Sequence, residues 1–309
     1  MITPAAWRAV GNVGMTRIGA LLEAARPELP FGGRLELEPV KEHVFRLTSG
    51  TDRYLVKWID GTAGSGHDEV AANRTWLSHD DIAAPRMVAA IDVDDGVVAC
   101  WEWLDGDDLR AKDRDRLPEA FAALGRFHDR RRHDGPVVSP LSLEAFGTVG
   151  ELVAAEIDRL VPLVDASLRS RCAQRLRRLA QGYATVIHGD AHPGNIILAP
   201  RGLHFVDWSL ARPSVNVFDL DYLDSVPLEP PMPVGAYMPL PEATAILHAY
   251  AAGCGMPAVD IAGVHVAVML WRDLSFLESF IQRPRRDERA EAAFRGRVSQ
   301  LLARERTEP

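Results

Sequence analysis

The run Val186-Ile187-His188-Gly189-Asp190-Ala191-His192-Pro193-Gly194-Asn195-Ile196-Ile197-Leu198 sets two histidines, an aspartate and an asparagine between two apolar stretches. Ile196 to Leu198 and Leu203 to Val206 flank Pro200-Arg201-Gly202 and read as a short hairpin, with Asp207-Trp208 directly after it. Around this hairpin the spacing is helical: Leu117 to Arg131, Val149 to Val164 and Ser167 to Leu179 before it, Glu242 to Cys254, Ile261 to Ile281 and Glu288 to Leu302 after it. The chemistry therefore sits on a small strand pair inside a mostly helical lobe. Before Gly106 the texture is different. Leu35 and Leu37 alternate with glutamates, and Val44 to Leu47, Tyr54 to Trp58, Met87 to Ile91 and Val97 to Trp101 are further short runs, punctuated by Ser49-Gly50-Thr51-Asp52 and Asp94-Asp95-Gly96. A helix from about Asp68 to Leu77 interrupts them, after a loop with Gly61, Gly64 and Gly66, and a leading helix is predicted over residues 3 to 26. The expectation is an α+β chain of two lobes, residues 1–104 with a five-stranded antiparallel sheet and residues 105–309 mostly helical. Prolines 227, 230, 231, 233, 239 and 241 mark a long loop, which in a compact domain is more often functional than idle.

Composition narrows the function. The chain has 309 residues, with 35 Lys+Arg against 43 Asp+Glu and a net charge of −8, a poor match to a phosphate backbone, so nucleic acid is not the expected partner. Cys100, Cys172 and Cys254 are odd in number and widely spaced, which suggests neither a disulfide framework nor a thiolate zinc site. No apolar run approaches the roughly 18 residues of a membrane span, and the reading is a cytoplasmic protein without a membrane partner. Of the basic residues only Lys41, Lys57 and Lys112 are lysine. A lysine in this chain is informative.

Several chemistries could use the His/Asp/Asn run. A zinc hydrolase would want an HExxH helix or a third ligand, and Pro193-Gly194 forbids a helix presenting both histidines. A serine hydrolase would want a GxSxG elbow, and neither a P-loop nor a GxGxxG turn is present. Phosphoryl transfer asks for a hydroxyl-orienting Asp, an Asn and a second Asp for Mg²⁺, and a Lys–Glu pair on the triphosphate. All five occur, in the chain order Lys57, Glu69, Asp190, Asn195 and Asp207.

With these residues the chain resembles the aminoglycoside phosphotransferase and choline kinase-like family, small-molecule kinases of the protein-kinase-like fold, whose loop reads HGDxHxxN. His188, Gly189, Asp190, His192 and Asn195 match it, and Asp207 follows 12 residues after Asn195. The resemblance covers about residues 35 to 225. It implies that Asp190 and His188 are the catalytic-loop residues, Asp190 taking the hydroxyl proton and His188 holding the loop. It further implies that Asn195 and Asp207 ligate Mg²⁺, that Lys57 with Glu69 holds the α- and β-phosphates, and that Glu102, Trp103 and Leu104 form the hinge on the adenine. Leu124-Gly125-Arg126-Phe127-His128 looks like the family's helix before the catalytic loop, and Asp219-Leu220 like the pair that braces it. Two departures stand out. The loop over the phosphates, Pro39-Val40-Lys41-Glu42-His43, has no glycine, so Lys41 is a candidate to act in place of backbone N–H groups. Ser214-Val215 stands where the family has Gly-Asp.

The implied activity is transfer of the γ-phosphate of ATP, with GTP an alternative donor, to a hydroxyl of a small molecule. The chain after Asp207 runs into Arg212-Pro213 without an Ala-Pro-Glu segment, which argues against protein substrates. The main acceptor reading is an aminoglycoside-type antibiotic or amino sugar, favoured by Asp221, Asp224, Glu229, Asp273 and Glu278, with His192 either bracing the loop or touching the acceptor. The alternative is a housekeeping metabolite kinase acting on a sugar, a choline- or ethanolamine-like alcohol or an amino acid hydroxyl. A third reading is a nucleotide-binding module without catalysis.

Overall fold

Short runs of alternating residues joined by tight turns pair with their sequence neighbours first, and the sheet follows that rule. In the computed structural model, which describes residues 16–23, 29, 31–41, 43–60, 66–77, 82–94, 96–110, 113–224, 238–282 and 288–303, strands β1 (Leu35–Lys41), β2 (Val44–Ser49), β3 (Asp52–Asp60), β4 (Met87–Val93) and β5 (Gly96–Glu102) form one antiparallel sheet in the order β1-β2-β3-β5-β4. The two faces of the pleat carry separate cores. Phe45, Leu47, Val56, Val98 and Cys100 meet Ile18 and Leu22 from helical residues 16–23 (α1). Ile59, Val97, Ala99 and Trp101 meet Val70 of α2 (Gly66–Thr75) on the opposite face. Most of the leading helix, the loop through Gly61 and Gly64, and the proline-rich stretch to residue 237 lie outside the described residues.

Beyond the two-residue strand β6 (Asp107–Asp108) the chain turns helical. α3 (Leu117–Arg130) is followed by the small hairpin β7 (Val137–Val138) and β8 (Ala145–Phe146), then by α4 (Val149–Leu160) and α5 (Arg169–Leu176). Thr148 and Glu151 close a reciprocal capping box at the start of α4. After the site region come α6 (Leu240–Cys254), α7 (Ala258–Gln282) and α8 (Glu288–Ala303). Helix α3 lies against α6, and their glycines explain how closely: a Cβ on Gly125 would strike the Tyr250 carbonyl, and one on Gly253 the Ala122 carbonyl. Trp271, at the middle of α7, is 1% exposed and meets the Phe218 ring at a tilt with centroids 4.4 Å apart, as a core residue.

Two features of the site region go beyond the sequence pattern. Strand β9 (Ala184–Ile187) enters the histidine-rich loop and pairs antiparallel with Arg212–Val215, where the sequence pattern shows no strand; Ile187 faces Arg212, so His188 begins where the ribbon ends. Between them lies the expected hairpin, β10 (Ile196–Ala199) and β11 (Gly202–Phe205), which makes Arg212–Val215 β12. The chain divides into two compact units, Met1–Asp107 with Ile197–Leu210, and Asp108–Ile196 with Ala211–Pro309. This differs from the expected boundary at 104/105, which leaves the hairpin in the helical lobe. The hairpin groups with the sheet unit because the Phe205 N–H donates to the Ala83 carbonyl at 2.9 Å and the turn Trp208–Leu210 packs on α2.

Candidate active site

In the sheet unit, register brings the cations to one place. Lys57 on β3 faces Val44 on β2, and its Nζ donates to both Glu69 oxygens at 2.8 and 2.9 Å and to Asp207 Oδ1 at 3.0 Å. Burial works to lower the affinity of the Lys57 amine for its proton, but the Glu69 and Asp207 carboxylates outweigh it and the pKa is raised. Burial raises Glu69, only partly offset by Lys57. For Asp207 burial also pushes upward, yet Lys57, Lys41 and a hydrogen bond from Ser209 prevail and hold its pKa below the usual carboxylate value. The backbone of Asp207 has φ 65°, in the left-handed region, where aspartate is among the better tolerated non-glycine residues and where functional sites concentrate strain.

The strand end proposed as a hinge belongs to the same unit. The Glu102 N–H donates to Arg86 O at 2.9 Å, and the Trp103 N–H to Arg53 O at 3.2 Å. Both are committed to the sheet. Among the described residues the Leu104 N–H donates to no backbone carbonyl.

The catalytic loop, in the helical unit, is braced from below. Asp219, fully buried, accepts the N–H groups of His188 and Gly189 at 2.7 Å each and bonds His128 Nε2 at 3.0 Å. Burial alone would raise its pKa; the hydrogen bond and charge of His128 and the contribution of His188 overcome that and lower it. His128 Nδ1 lies 2.8 Å from the Tyr250 hydroxyl, which also bonds Asn216. Gly189, at φ 82°, takes a conformation that side chains rarely adopt, which is what turns both N–H groups toward one carboxylate. Above this brace, Asn195 Nδ2 donates to the Asp190 carbonyl at 2.9 Å and to Asp190 Oδ2 at 2.8 Å. The amide N–H groups thus face Asp190, which fixes the amide oxygen as the opposite end. His188 is fully buried and accepts the Asp190 N–H at Nδ1, 3.2 Å, while His192 accepts the Gly194 N–H at 2.9 Å and stands 3.6 Å from Asp190 Oδ2. Both histidines shape the loop.

The remaining proposed acceptor residues have other partners. Asp224 and Asp273 form a buried quartet with Arg272 and Arg297: both arginines donate to Asp224 Oδ2, at 2.7 and 2.6 Å, and Arg297 Nε donates to Asp273 Oδ2 at 2.9 Å. Asp273 is 0% exposed. Glu278 pairs with Arg159, whose other nitrogen bonds Glu156 at 2.5 Å. Asp221 gives its carbonyl to Arg272, and burial, opposed by Arg272 and reinforced by Asp219 and Asp190, pushes its carboxyl up to about 8. Asp224, Asp273 and Glu278 are thus internal counter-ions rather than acceptor ligands, because arginines 48, 24 and 119 residues away in sequence neutralise them. Glu229 lies outside the described residues. Tyr222 escaped the sequence reading: its ring meets His192 edge-on at 5.3 Å, and its hydroxyl bonds Asp190. Nothing but its place two residues after Asp-Leu could have flagged it.

Hard oxygen donors from one carboxylate and one amide suit Mg²⁺, which takes few protein ligands and completes its shell with water and phosphate. Among the described residues no group of three or more His, Cys, Asp or Glu side chains is arranged to hold a metal by itself, and none of the described helices is long and apolar enough to cross a membrane.

No curated protein matches the sequence. Among solved structures, choline kinase LicA from Streptococcus pneumoniae is 16% identical with a TM-score of 0.58, covering 94% of this chain and 99% of its own. Macrolide 2′-phosphotransferase MphH from Brachybacterium faecium is 18% identical with a TM-score of 0.61, covering 89% and 97%. Aminoglycoside phosphotransferase APH(4)-Ia is 15% identical with a TM-score of 0.57, covering 94% and 98%. These likenesses establish the two-lobed kinase-like fold. The family model of the phosphotransferase enzyme family matches residues 40–224, a span that holds Lys57, Glu69, the braced catalytic loop and Asp207. With that match, the kinase-like fold and the polar set around Asp190, the chain belongs to the phosphotransferase enzyme family.

Proposed function

We propose that this protein transfers the γ-phosphate of ATP, with Mg²⁺, to a hydroxyl of a small molecule carrying at most one positive charge. The observation that carries the reading is the Lys57 ammonium held between Glu69 and Asp207, since a module that had lost catalysis would be expected to have lost part of this set. Lys57 neutralises the α- and β-phosphates, and the Leu104 N–H reads the base. Asp190, oriented by Asn195, accepts the proton of the acceptor hydroxyl as its oxygen attacks the γ-phosphorus and ADP departs. Asn195 and Asp207 are the residues whose oxygens would hold Mg²⁺, and the ion would supply neutralisation of charge on the phosphate oxygens. Support for this nucleotide chemistry comes from the APH(4)-Ia structure described as a ternary complex with AMP-PNP and hygromycin B, and from LicA in complex with AMP.

The limit on acceptor charge comes from the acidic residues. A polycationic aminoglycoside needs several carboxylates free to face it, and Asp224, Asp273 and Glu278 are each spent on arginine. A sugar, a single-amine alcohol or a macrolide-like hydroxyl fits better. Asp190→Asn tests the assignment: kcat should fall by about 10² to 10⁴ while ATP affinity stays within about twofold. Undiminished turnover would remove Asp190 from the mechanism.

A further inference from the structure

The tip of the β1–β2 hairpin holds a cation where a glycine-rich loop would offer backbone N–H groups. Strands β1 and β2 pair residue for residue from Leu35↔Ser49 to Pro39↔Phe45, and the register then slips so that Lys41, not Val40, faces Val44. Val40 and Lys41 together oppose one residue, which is a β-bulge. Without it Val40 would occupy the position opposite Val44, and the alternation of the pleat would send Lys41 to the other face. With it, Lys41, Val44 and Lys57 form one row across β1, β2 and β3 on the face that carries the Lys57–Glu69 pair. Backbones two strands apart are separated by about 9–10 Å, a gap that two lysine side chains leaning toward each other can close. They do so at Asp207. Lys57 Nζ takes one carboxylate oxygen at 3.0 Å, and Lys41 Nζ lies 3.8 Å from the other.

The two lysines differ in how they are held. Lys57 is 13% exposed and donates to both Glu69 oxygens, whereas Lys41 is 65% exposed and among the described residues pairs with Asp207. A loosely held ammonium at a hairpin tip can move to a new anion at little cost to the fold. His43, at φ 58°, makes the turn compact, and its carbonyl accepts the Trp58 N–H at 2.9 Å, which ties the tip to β3. The tip is thus fixed in place while the lysine on it stays adjustable. In a chain with three lysines and 32 arginines, a compact point charge stands where a broad guanidinium fork would suit one carboxylate better.

We propose that Lys41 is a second phosphate-binding lysine, contacting the terminal phosphates of the nucleotide in place of the backbone N–H groups of a glycine loop. The proposal rests on the reading of the site as nucleotide-binding. The experiment compares binding of ATP, ADP and AMP, each with Mg²⁺, to the wild-type chain and to Lys41→Ala and Lys41→Arg by titration calorimetry. Lys41→Ala should weaken ATP about tenfold, ADP less, and AMP not at all, with kcat/KM for ATP reduced in parallel, while Lys41→Arg keeps most of the affinity. ATP affinity of Lys41→Ala within twofold of wild type would overturn the proposal, as would an equal loss for all three nucleotides, which would place the lysine on the shared α-phosphate or nucleoside. A wild-type chain that binds no ATP overturns both the proposal and the nucleotide reading beneath it, whereas a failure confined to Lys41 leaves that reading standing.

Discussion

Asp221 illustrates how much a single carboxyl can differ from its neighbours. It lies between the brace Asp219 and Tyr222, yet burial pushes its pKa up to about 8, against about 3.9 in an unfolded chain. Because the folded state holds the proton more tightly than the unfolded one, stability associated with this group is complete below about pH 4. It is lost as pH rises toward 8. Asp221→Asn keeps the shape and removes the titration. In urea unfolding at pH 5.5 and 8.5, the wild type should therefore lose more stability between the two values than the variant does, and parallel losses would show that the carboxyl is ionised in the folded chain. The other side chains around the loop were differently legible. Asp190, Asn195, Lys57 and Asp207 stand out in the sequence because their chemistry and spacing are specific to one reaction. The finding that the Glu102 and Trp103 N–H groups are consumed within the sheet was not legible, since hydrogen-bond pairing depends on which strand lies alongside.

At the level of elements, local and long-range pairings separate cleanly. The strands β1 to β5 were readable because tight turns join most of them and their alternation has two distinct apolar faces. Helices α3, α6, α7 and α8 were readable from their spacing. Strands β9 and β12 were not both readable, because a four-residue pairing between segments some 28 residues apart leaves no periodic trace. The same limit hid the Asp224–Arg272–Asp273–Arg297 quartet, which fastens α7 and α8 to the segment after the brace. On helix α7 alone, Asp273 looks like an acid offered to an acceptor; only the fold shows two buried guanidinium groups claiming it. Removing one member leaves the others buried without their counter-charge, so Asp273→Ala should cost about 3–5 kcal/mol in denaturant unfolding. Glu278→Gln, at a more exposed pair, should cost about 1 kcal/mol or less. Equal and small losses would mean that the quartet is not a structural tie.

For the whole molecule, net charge is a poor guide to acceptor charge. The chain carries −8 overall, but among the described residues Asp224, Asp273 and Glu278 are balanced by internal arginines, and on the proposed reading these acids offer an acceptor no free charge. If so, acceptor KM should vary little between about 50 and 300 mM salt, since screening acts on the attraction of unpaired charges across solvent. A steep rise of KM with salt would restore a polycationic acceptor. The most direct measurement of the central claim is ADP formation from ATP and Mg²⁺ in the presence of sugars, single-amine alcohols, macrolides and aminoglycosides, with phosphorylated product weighed by mass spectrometry. The account predicts ADP release stimulated by an acceptor of low charge, one phosphate gained by that acceptor per ADP, and loss of both in Asp190→Asn. ADP release that no hydroxyl compound stimulates, or that survives unchanged in Asp190→Asn, would contradict it.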